Sequence, residues 1–184
     1  MRSRRWLIVV WALILAAGCA SAPPTHYYVL SAPSERLHGG SSKQDGLEIG
    51  IHAIDVAPPY DQSKIVYRIG RDAHEIGYYD YHRWAVPLSR MLPRVIATQL
   101  GQLQGVDTIE PARSDRTYDA RIEGQLLTLE EIDVVDEQHV LLELRLTLVS
   151  HDGTELWSET LRGEGKTRTK DVADIVGLMS DVLS

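Results

Sequence analysis

The amino-acid sequence predicts a single α/β domain in which two main helices pack on a mixed, largely antiparallel sheet. Three observations support this prediction. Strand-like segments occur in both halves of the chain, an amphipathic helical pattern closes each half, and a tight turn joins strands of the second half. Because a sheet and a helix must each bury an apolar face, packing two helices on one sheet suits a chain of 184 residues.

The first half begins with strands. Residues 25–30 (THYYVL) are typical of a strand, and residues 31–46, rich in Ser, Gly and Pro, predict a loop. Residues 47–57 (LEIGIHAIDVA) alternate apolar and polar side chains, as a half-buried strand does. Residues 64–84 predict a hairpin whose turn lies around residues 70–74.

From Trp84 onward the spacing of the apolar residues changes from that of a strand to that of a helix. Apolar residues recur at spacings of three and four, which predicts an amphipathic helix over 84–104. Pro93 falls inside this pattern and removes one backbone hydrogen bond. We therefore expect a short first turn near 84–90 and a main helix from about residue 91.

The second half is rich in strand signals. Residues 118–134 predict one long strand with a bulge at Leu126-Leu127, where the apolar face changes phase. Alternating apolar residues over 140–148 predict a second strand, and Asp152-Gly153 predicts a tight turn into an antiparallel third. Residues 170–183 predict a closing helix.

Several motifs resemble catalytic or metal-binding sites, but their spacing argues against that interpretation. The segment 163–167 (GEGKT) has Thr160 where a phosphate-binding loop needs its first Gly, so we predict a glycine turn. The polar residues of the hairpin lack metal-ligand spacing and predict a solvated surface: Asp72, His74, Glu75, Asp80 and His82. The carboxylates clustered over 130–137 predict a solvated rim at a strand end. No G-x-S-x-G motif occurs, and we expect no catalytic residue, metal or cofactor.

The first eighteen residues predict a signal peptide, 1–18. A cationic start, MRSRR, precedes twelve apolar residues, too few to cross about 30 Å of hydrocarbon. The segment ALILAAGCAS places Cys19, the only cysteine, directly after Ala-Ala-Gly, which resembles the lipobox of bacterial lipoproteins. The resemblance implies acylation of Cys19 by diacylglycerol and a further fatty acid such as palmitate, with cleavage before it. Residues 19–24 would then form the acylated tether, and 25–184 the folded domain.

Charge and sorting signals predict the location. Losing Arg2, Arg4 and Arg5 with the leader leaves 16 basic against 26 acidic residues, a net charge of 16 − 26 = −10. So acidic a chain has no electrostatic reason to bind nucleic acid, and the lipid alone would hold it at a membrane. Ala20, rather than Asp, follows the cysteine, which by the same resemblance favours the outer membrane facing the periplasm.

Three ordered blocks resemble the ABC-type transport auxiliary lipoprotein family, which includes the C component of the paraquat-inducible Pqi system. They are YYVLSAP (27–33), IDVAPPYDQSKIVYRIG (54–70) and RWAVPLSRMLPRVIATQL (83–100). This chain departs from the family pattern at residues 61–64. It matches the pattern at Pro59, Tyr60, Ile65, Val66, Arg83, Trp84, Pro87 and Leu88. The resemblance implies a mixed α/β domain, no catalysis, and a periplasmic mammalian-cell-entry (MCE) domain protein as partner in moving lipids between membranes.

Two functions remain open from the sequence. The first is a docking subunit at the outer membrane that supports envelope integrity, and the alternative is a lipoprotein that itself carries a lipid or solute. Because exposed aromatics and Arg dominate interfaces, the candidate partner-binding residues are Tyr60, Tyr78, Tyr79, Tyr81 and Arg83. Trp84 and Leu88 are expected in the core, and a homo-oligomer is possible. A sizeable apolar pocket would favour the cargo carrier, and an envelope hydrolase would need a nucleophile that the sequence does not show.

Overall fold

The computed structural model describes residues 22–31, 46–71, 73–101 and 105–184. Cys19, the predicted leader, most of the predicted 31–46 loop and Asp72 lie outside these residues. The described ranges form one open mixed sheet with two helices, which confirms the predicted fold class. The strands are β1 (His26–Tyr28), β2 (Leu47–Ile51), β3 (Asp55–Val56), β4 (Lys64–Ile69), β5 (Ile76–Trp84), β6 (Val106–Pro111), β7 (Ala120–Val134), β8 (Glu137–Ser150) and β9 (Glu155–Thr167), and the helices are α1 (Leu88–Leu100) and α2 (Val172–Val182).

Strand β7 organises the sheet. Along one edge it pairs with β8, and β8 with β9, in a long antiparallel meander that confirms the predicted turn at Asp152-Gly153. The register of β7 shifts between Leu126 and Thr128, where the sequence predicts a bulge. Val140, Leu142, Leu144 and Leu146 are buried, so the alternation in β8 faces the core as expected.

Three short strands share the other edge of β7. Strands β2, β3 and β4 all run parallel to β7, one after another along its length. Strand β4 continues into the antiparallel hairpin with β5 that the sequence predicts, and β5 carries β1 in parallel. Strand β6, which the sequence pattern does not indicate, pairs in parallel with β2.

Helix α1 differs from its prediction in two ways. It begins at Leu88, because Trp84 still belongs to β5 and donates its backbone N–H to the Ser63 carbonyl at 2.7 Å. It is also continuous, since Pro93 lies inside the helix with its ring buried in the core and only one backbone donor is lost. The expected split near residue 90 is therefore wrong.

Helix α2 explains the glycines of the 163–167 segment. This segment is part of strand β9, so the predicted glycine turn is wrong. A Cβ atom on Gly165 would lie 2.7 Å from Cδ1 of Leu178, and one on Gly163 would overlap the Val182 side chain. Glycine at both positions lets α2 lie close against β9.

One apolar cluster unites the two helices and the sheet. Its most buried members come from every layer: Ile51, Ile65, Leu92, Leu126, Val140, Ile175 and Met179. Trp84 and Leu88 are also buried, as the sequence predicts. Within the described residues, no helix is both long and apolar enough to span a bilayer.

Candidate functional site

A groove lies between the loop after β3 and the start of α1. Its volume is about 480 Å³. Buried apolar side chains of Ile54, Trp84 and Leu88 contribute to its floor, and polar residues form its rim: Asp55, Asp61, Gln62, Ser63 and Ser89. The residues that form it come from the second and third sequence blocks, 54–70 and 83–100, so the folded chain brings these two blocks together.

The loop that forms one wall is held at several points. The backbone N–H of Tyr60 donates to the Ala57 carbonyl at 2.9 Å, and the Gln62 side chain donates to the Pro59 carbonyl at 2.9 Å. Arg83 donates to the Ser63 hydroxyl at 3.2 Å. The first two contacts stabilise the loop internally, and the third attaches it to strand β5, so the groove is a defined feature of the fold.

Tyr60 belongs to this wall of the groove, but its side chain is buried. It is 6% exposed, and its hydroxyl donates to Oε2 of Glu130 at 2.9 Å. Burial first, and then the nearby Glu130 carboxylate, raise the pKa of Tyr60 to about 12. The expectation that Tyr60 lies on the surface is corrected, because its ring is part of the core and its hydroxyl has an internal partner.

Glu130 is itself buried and paired with a cation. The Arg68 guanidinium donates to both of its carboxylate oxygens, each at 3.1 Å. Arg68 also donates to the Ala73 carbonyl at 2.6 Å, which ties the β4–β5 turn to the same network. A two-pronged Arg–carboxylate pair is a strong, geometrically specific contact.

Glu131, the next residue, is equally buried without such a cation. It is 2% exposed and accepts a hydrogen bond from the Tyr79 hydroxyl at 2.7 Å. Burial raises the pKa of Glu131 above its usual value, against the opposing effect of the Tyr79 hydrogen bond. Burial and this same hydrogen bond also raise the pKa of Tyr79.

The predicted solvated rim over residues 130–137 is therefore wrong for its first two carboxylates. The sequence contained a signal that could have found one of the two. After the bulge at Leu126, alternation places Leu129 and Glu131 on the face occupied by Leu142 and Val140. One of two consecutive glutamates had to point into the core.

The other predicted partner-binding residues occupy different environments. Tyr81 is 39% exposed, Tyr78 packs partly buried against the core, and the ring of Tyr79 contacts Tyr67 at a centroid distance of 4.9 Å. Arg83 is half-buried beside the groove. The structure thus brings Tyr60 and Arg83 to the groove wall, while it places Tyr79 in the core-facing polar cluster around Glu131.

An imidazole and tyrosine stack lies at the edge of the sheet near Tyr79. His82 stacks on His26 with centroids 5.3 Å apart and accepts or donates a hydrogen bond at 2.8 Å with the Tyr28 hydroxyl. Burial, and then the neighbouring His26, lower the pKa of His82. These contacts attach β1 to β5.

Across the described ranges, no three His, Cys, Asp or Glu side chains gather in a way that could hold a metal ion.

Comparisons with solved structures show the fold. The chain is similar to protein XCC0632 from Xanthomonas campestris, of family DUF330, with 14% identity, a TM-score of 0.68, and coverage of 86% of this chain and 88% of that one. It is also similar to an uncharacterized protein with 15% identity, a TM-score of 0.65, and coverage of 88% and 92%. A search of curated proteins gave no match.

The family assignment comes from the sequence model of a known family. That model matches residues 28–184, which include the groove, the glutamate pair, all strands after β1 and both helices. The matched region contains the second and third sequence blocks whole and most of the first. The chain belongs to the ABC-type transport auxiliary lipoprotein component family.

Proposed function

We propose that this protein is a lipid-anchored subunit of an MCE/ABC-type lipid-transport system. It is held at the outer membrane by acylated Cys19 and docks the periplasmic MCE-domain protein of that system. The observation that supports docking is the groove beside Tyr60 and Trp84, because its two walls are the sequence blocks that carry the family pattern.

The groove has the physical character of a protein-docking site. Its floor is apolar and rigid, since Trp84 and Leu88 are also core residues, and its rim offers carboxylates and hydroxyls. Interfaces commonly combine a packed apolar centre with a polar rim. Val86, 40% exposed at the approach to α1, adds an apolar contact next to the opening.

The cargo-carrier alternative is less well supported by the described residues. A volume of about 480 Å³ lies in the lower half of the range for small-molecule pockets. A lipid with two acyl chains needs a larger enclosed apolar space. The carboxylates of Asp55 and Asp61 at the rim would also face a lipid phosphate unfavourably.

In-cell photo-crosslinking tests the docking function. A benzophenone amino acid at Asp61, on the groove rim, should capture an MCE-domain protein identified by mass spectrometry. The matched control is the same substitution at Glu159, an exposed acidic residue of β9 that does not line the groove. Equal capture at both positions, or co-purified phospholipid with no captured protein, would contradict docking through the groove.

The anchor is tested separately with Cys19→Ala. This variant should lose the mass of the acyl groups and appear in the soluble periplasmic fraction, where crosslinking from Asp61 should fall. Retention of the variant in the outer membrane would show that the thiol is not the anchor.

A further inference from the structure

We propose that the end of the sheet at the β7–β8 turn rests on the phospholipid bilayer that holds the anchor, with Val135 and Ile69 inserted among the headgroups. This inference rests on the proposed acylation of Cys19 and adds to it the orientation of the domain. Three independent features of the described residues support it: exposed apolar tips, the reach of the tether, and the placement of basic side chains.

The apolar tips are Val135 and Ile69, the two most exposed large aliphatic side chains in the described ranges. Val135 is 88% exposed in the turn between β7 and β8, and Ile69 is 69% exposed at the end of β4. They lie at the same end of the sheet, because Ile69 is the register partner of Asp133, two residues before Val135. A single exposed aliphatic residue is ordinary on a protein surface, so the pair needs further support.

The tether provides that support through its length. The position of His26 along β7 follows from the strand register. His26 pairs with His82, and the next residue, Arg83, pairs with Lys64. Lys64 lies three residues before Tyr67, which pairs with Glu131 of β7. His26 therefore lies at the level of about residue 129 of β7, some five residues from its C-terminal end and nine from its N-terminal end. At about 3.3 Å per residue these distances are roughly 17 Å and 30 Å.

Cys19 can reach only one of these ends. It precedes His26 by 26 − 19 = 7 residues, which span at most about 25 Å when fully extended. Strand β1 runs parallel to β5, so its N-terminal end is directed toward the start of β5, which is the end of the sheet that holds Ile69. An acyl anchor on Cys19 thus brings the β7–β8 end to the bilayer and keeps the opposite end away.

Exposed basic side chains also lie at this end of the sheet, beside acidic ones. Strand β9 ends here, because Thr167 pairs with Gln138, which pairs with Asp133. The exposed cations are Arg71, Lys166, Arg168 and Lys170. Two local acids are paired with cations: Glu164 with Arg71 at 2.7 Å and Asp133 with Lys170 at 3.4 Å. Glu137 contacts the His139 ring at 2.8 Å, and Asp136, next to Val135, is exposed. In the described residues, Lys166 and Arg168 form no ion pair shorter than 4.0 Å, so they can face lipid phosphates.

The test uses the full acylated chain in vesicles of phosphatidylethanolamine and phosphatidylglycerol. Since Cys19 is the only cysteine and is blocked when acylated, a cysteine introduced elsewhere is the only thiol available for an environment-sensitive fluorophore. Val135→Cys and Ile69→Cys carry the label at the proposed contact. Ser114→Cys, an exposed and nearly isosteric substitution in the loop before β7, is the control at the other end.

Labels at positions 135 and 69 should be quenched several-fold more than the label at 114 by lipids bearing a quencher near the headgroup. Equal quenching at all three positions, or stronger quenching at 114, would overturn the proposed orientation while leaving the anchor intact. Failure of the wild-type chain to associate with the vesicles would overturn the anchor and this inference together. Docking through the groove is measured separately by the Asp61 crosslink, so its failure is distinguishable from both.

Discussion

Glu130 and Glu131 are neighbours on strand β7 and both are buried, but only Glu130 has a guanidinium bound to its carboxylate. Glu130 points to the face of the sheet opposite Glu131, and its carboxylate accepts hydrogen bonds from the Arg68 guanidinium and the Tyr60 hydroxyl. Glu131 points to the face shared with Val140 and is held by the Tyr79 hydroxyl, with a raised pKa. The difference shows that burial alone does not decide the state of a carboxylate, since the adjoining strands and loop supply the cation for only one of the two.

The largest expected effect comes from removing the cation on the Glu130 side. Arg68→Met leaves a buried carboxylate with only the Tyr60 hydroxyl beside it, and should lower the free energy of unfolding by about 3 kcal/mol. That figure is at the low end for buried pairs because the Arg68 side chain is still 21% exposed. Urea unfolding followed by tryptophan fluorescence would measure it.

The double variant Arg68→Met with Glu130→Gln provides the control. It removes both charges and should recover most of the lost stability, because no unpaired ion then remains in the core. If the double variant were as unstable as the two single losses added together, the ion pair would not be the reason for the Arg68 effect.

The next effect concerns the face that α2 covers. Gly163→Val adds a side chain where Val182 lies against the β9 backbone, and should cost about 1–3 kcal/mol through overpacking. Gly177→Ala on the exposed side of the same helix meets nothing within 4 Å and should stabilise the protein by about 0.5–1 kcal/mol. Thermal unfolding that moved in the same direction for both variants would argue against close packing of α2 on β9.

The smallest expected effect is a pH-dependent change in stability caused by buried Glu131. Because burial raises the pKa of Glu131 in the folded state, the folded protein binds this proton more tightly than the unfolded chain. The stabilisation from protonation is complete below the ordinary glutamate pKa of 4.5 and is lost as pH rises through the pKa of the folded state. Glu131→Gln, which keeps an acceptor for Tyr79, should therefore be more stable than wild type at pH 7.

That advantage should shrink as the pH falls toward 4, where wild-type Glu131 is itself protonated. Urea midpoints measured for both proteins over this range give the comparison. A gap that stayed constant with pH, or a variant less stable than wild type at pH 7, would mean that Glu131 is charged and satisfied in the folded protein.

Several elements of the fold were predicted correctly from residues close together in the chain. The β4–β5 hairpin, the bulge near Leu126, the alternation in β8, the turn at Asp152-Gly153 and helix α2 were all predicted. Each depends on residues close together in the chain. Strand β6 was missed because its partner β2 lies more than fifty residues away and its own six residues show no clear alternation.

The candidate site was predicted in part. The two blocks that meet in the groove are ones that carry the family resemblance, but Tyr60 was expected to be exposed and the burial of Glu130 was not expected. Tyr60 turns inward because Glu130 offers its hydroxyl an acceptor and Arg68 compensates the carboxylate charge. Three residues from three separate segments set that orientation, so no local pattern could reveal it.

By itself, the sequence determined the elements whose physics is local. These are the amphipathic pattern of each helix, the turn at Asp152-Gly153 and the apolar alternation of β8. Only the tertiary structure decided which strands run parallel to β7, which glutamate receives a cation, and why β9 needs Gly163 and Gly165 under α2. Those outcomes depend on contacts between residues far apart in the chain, where side-chain volume and charge are set by the partner.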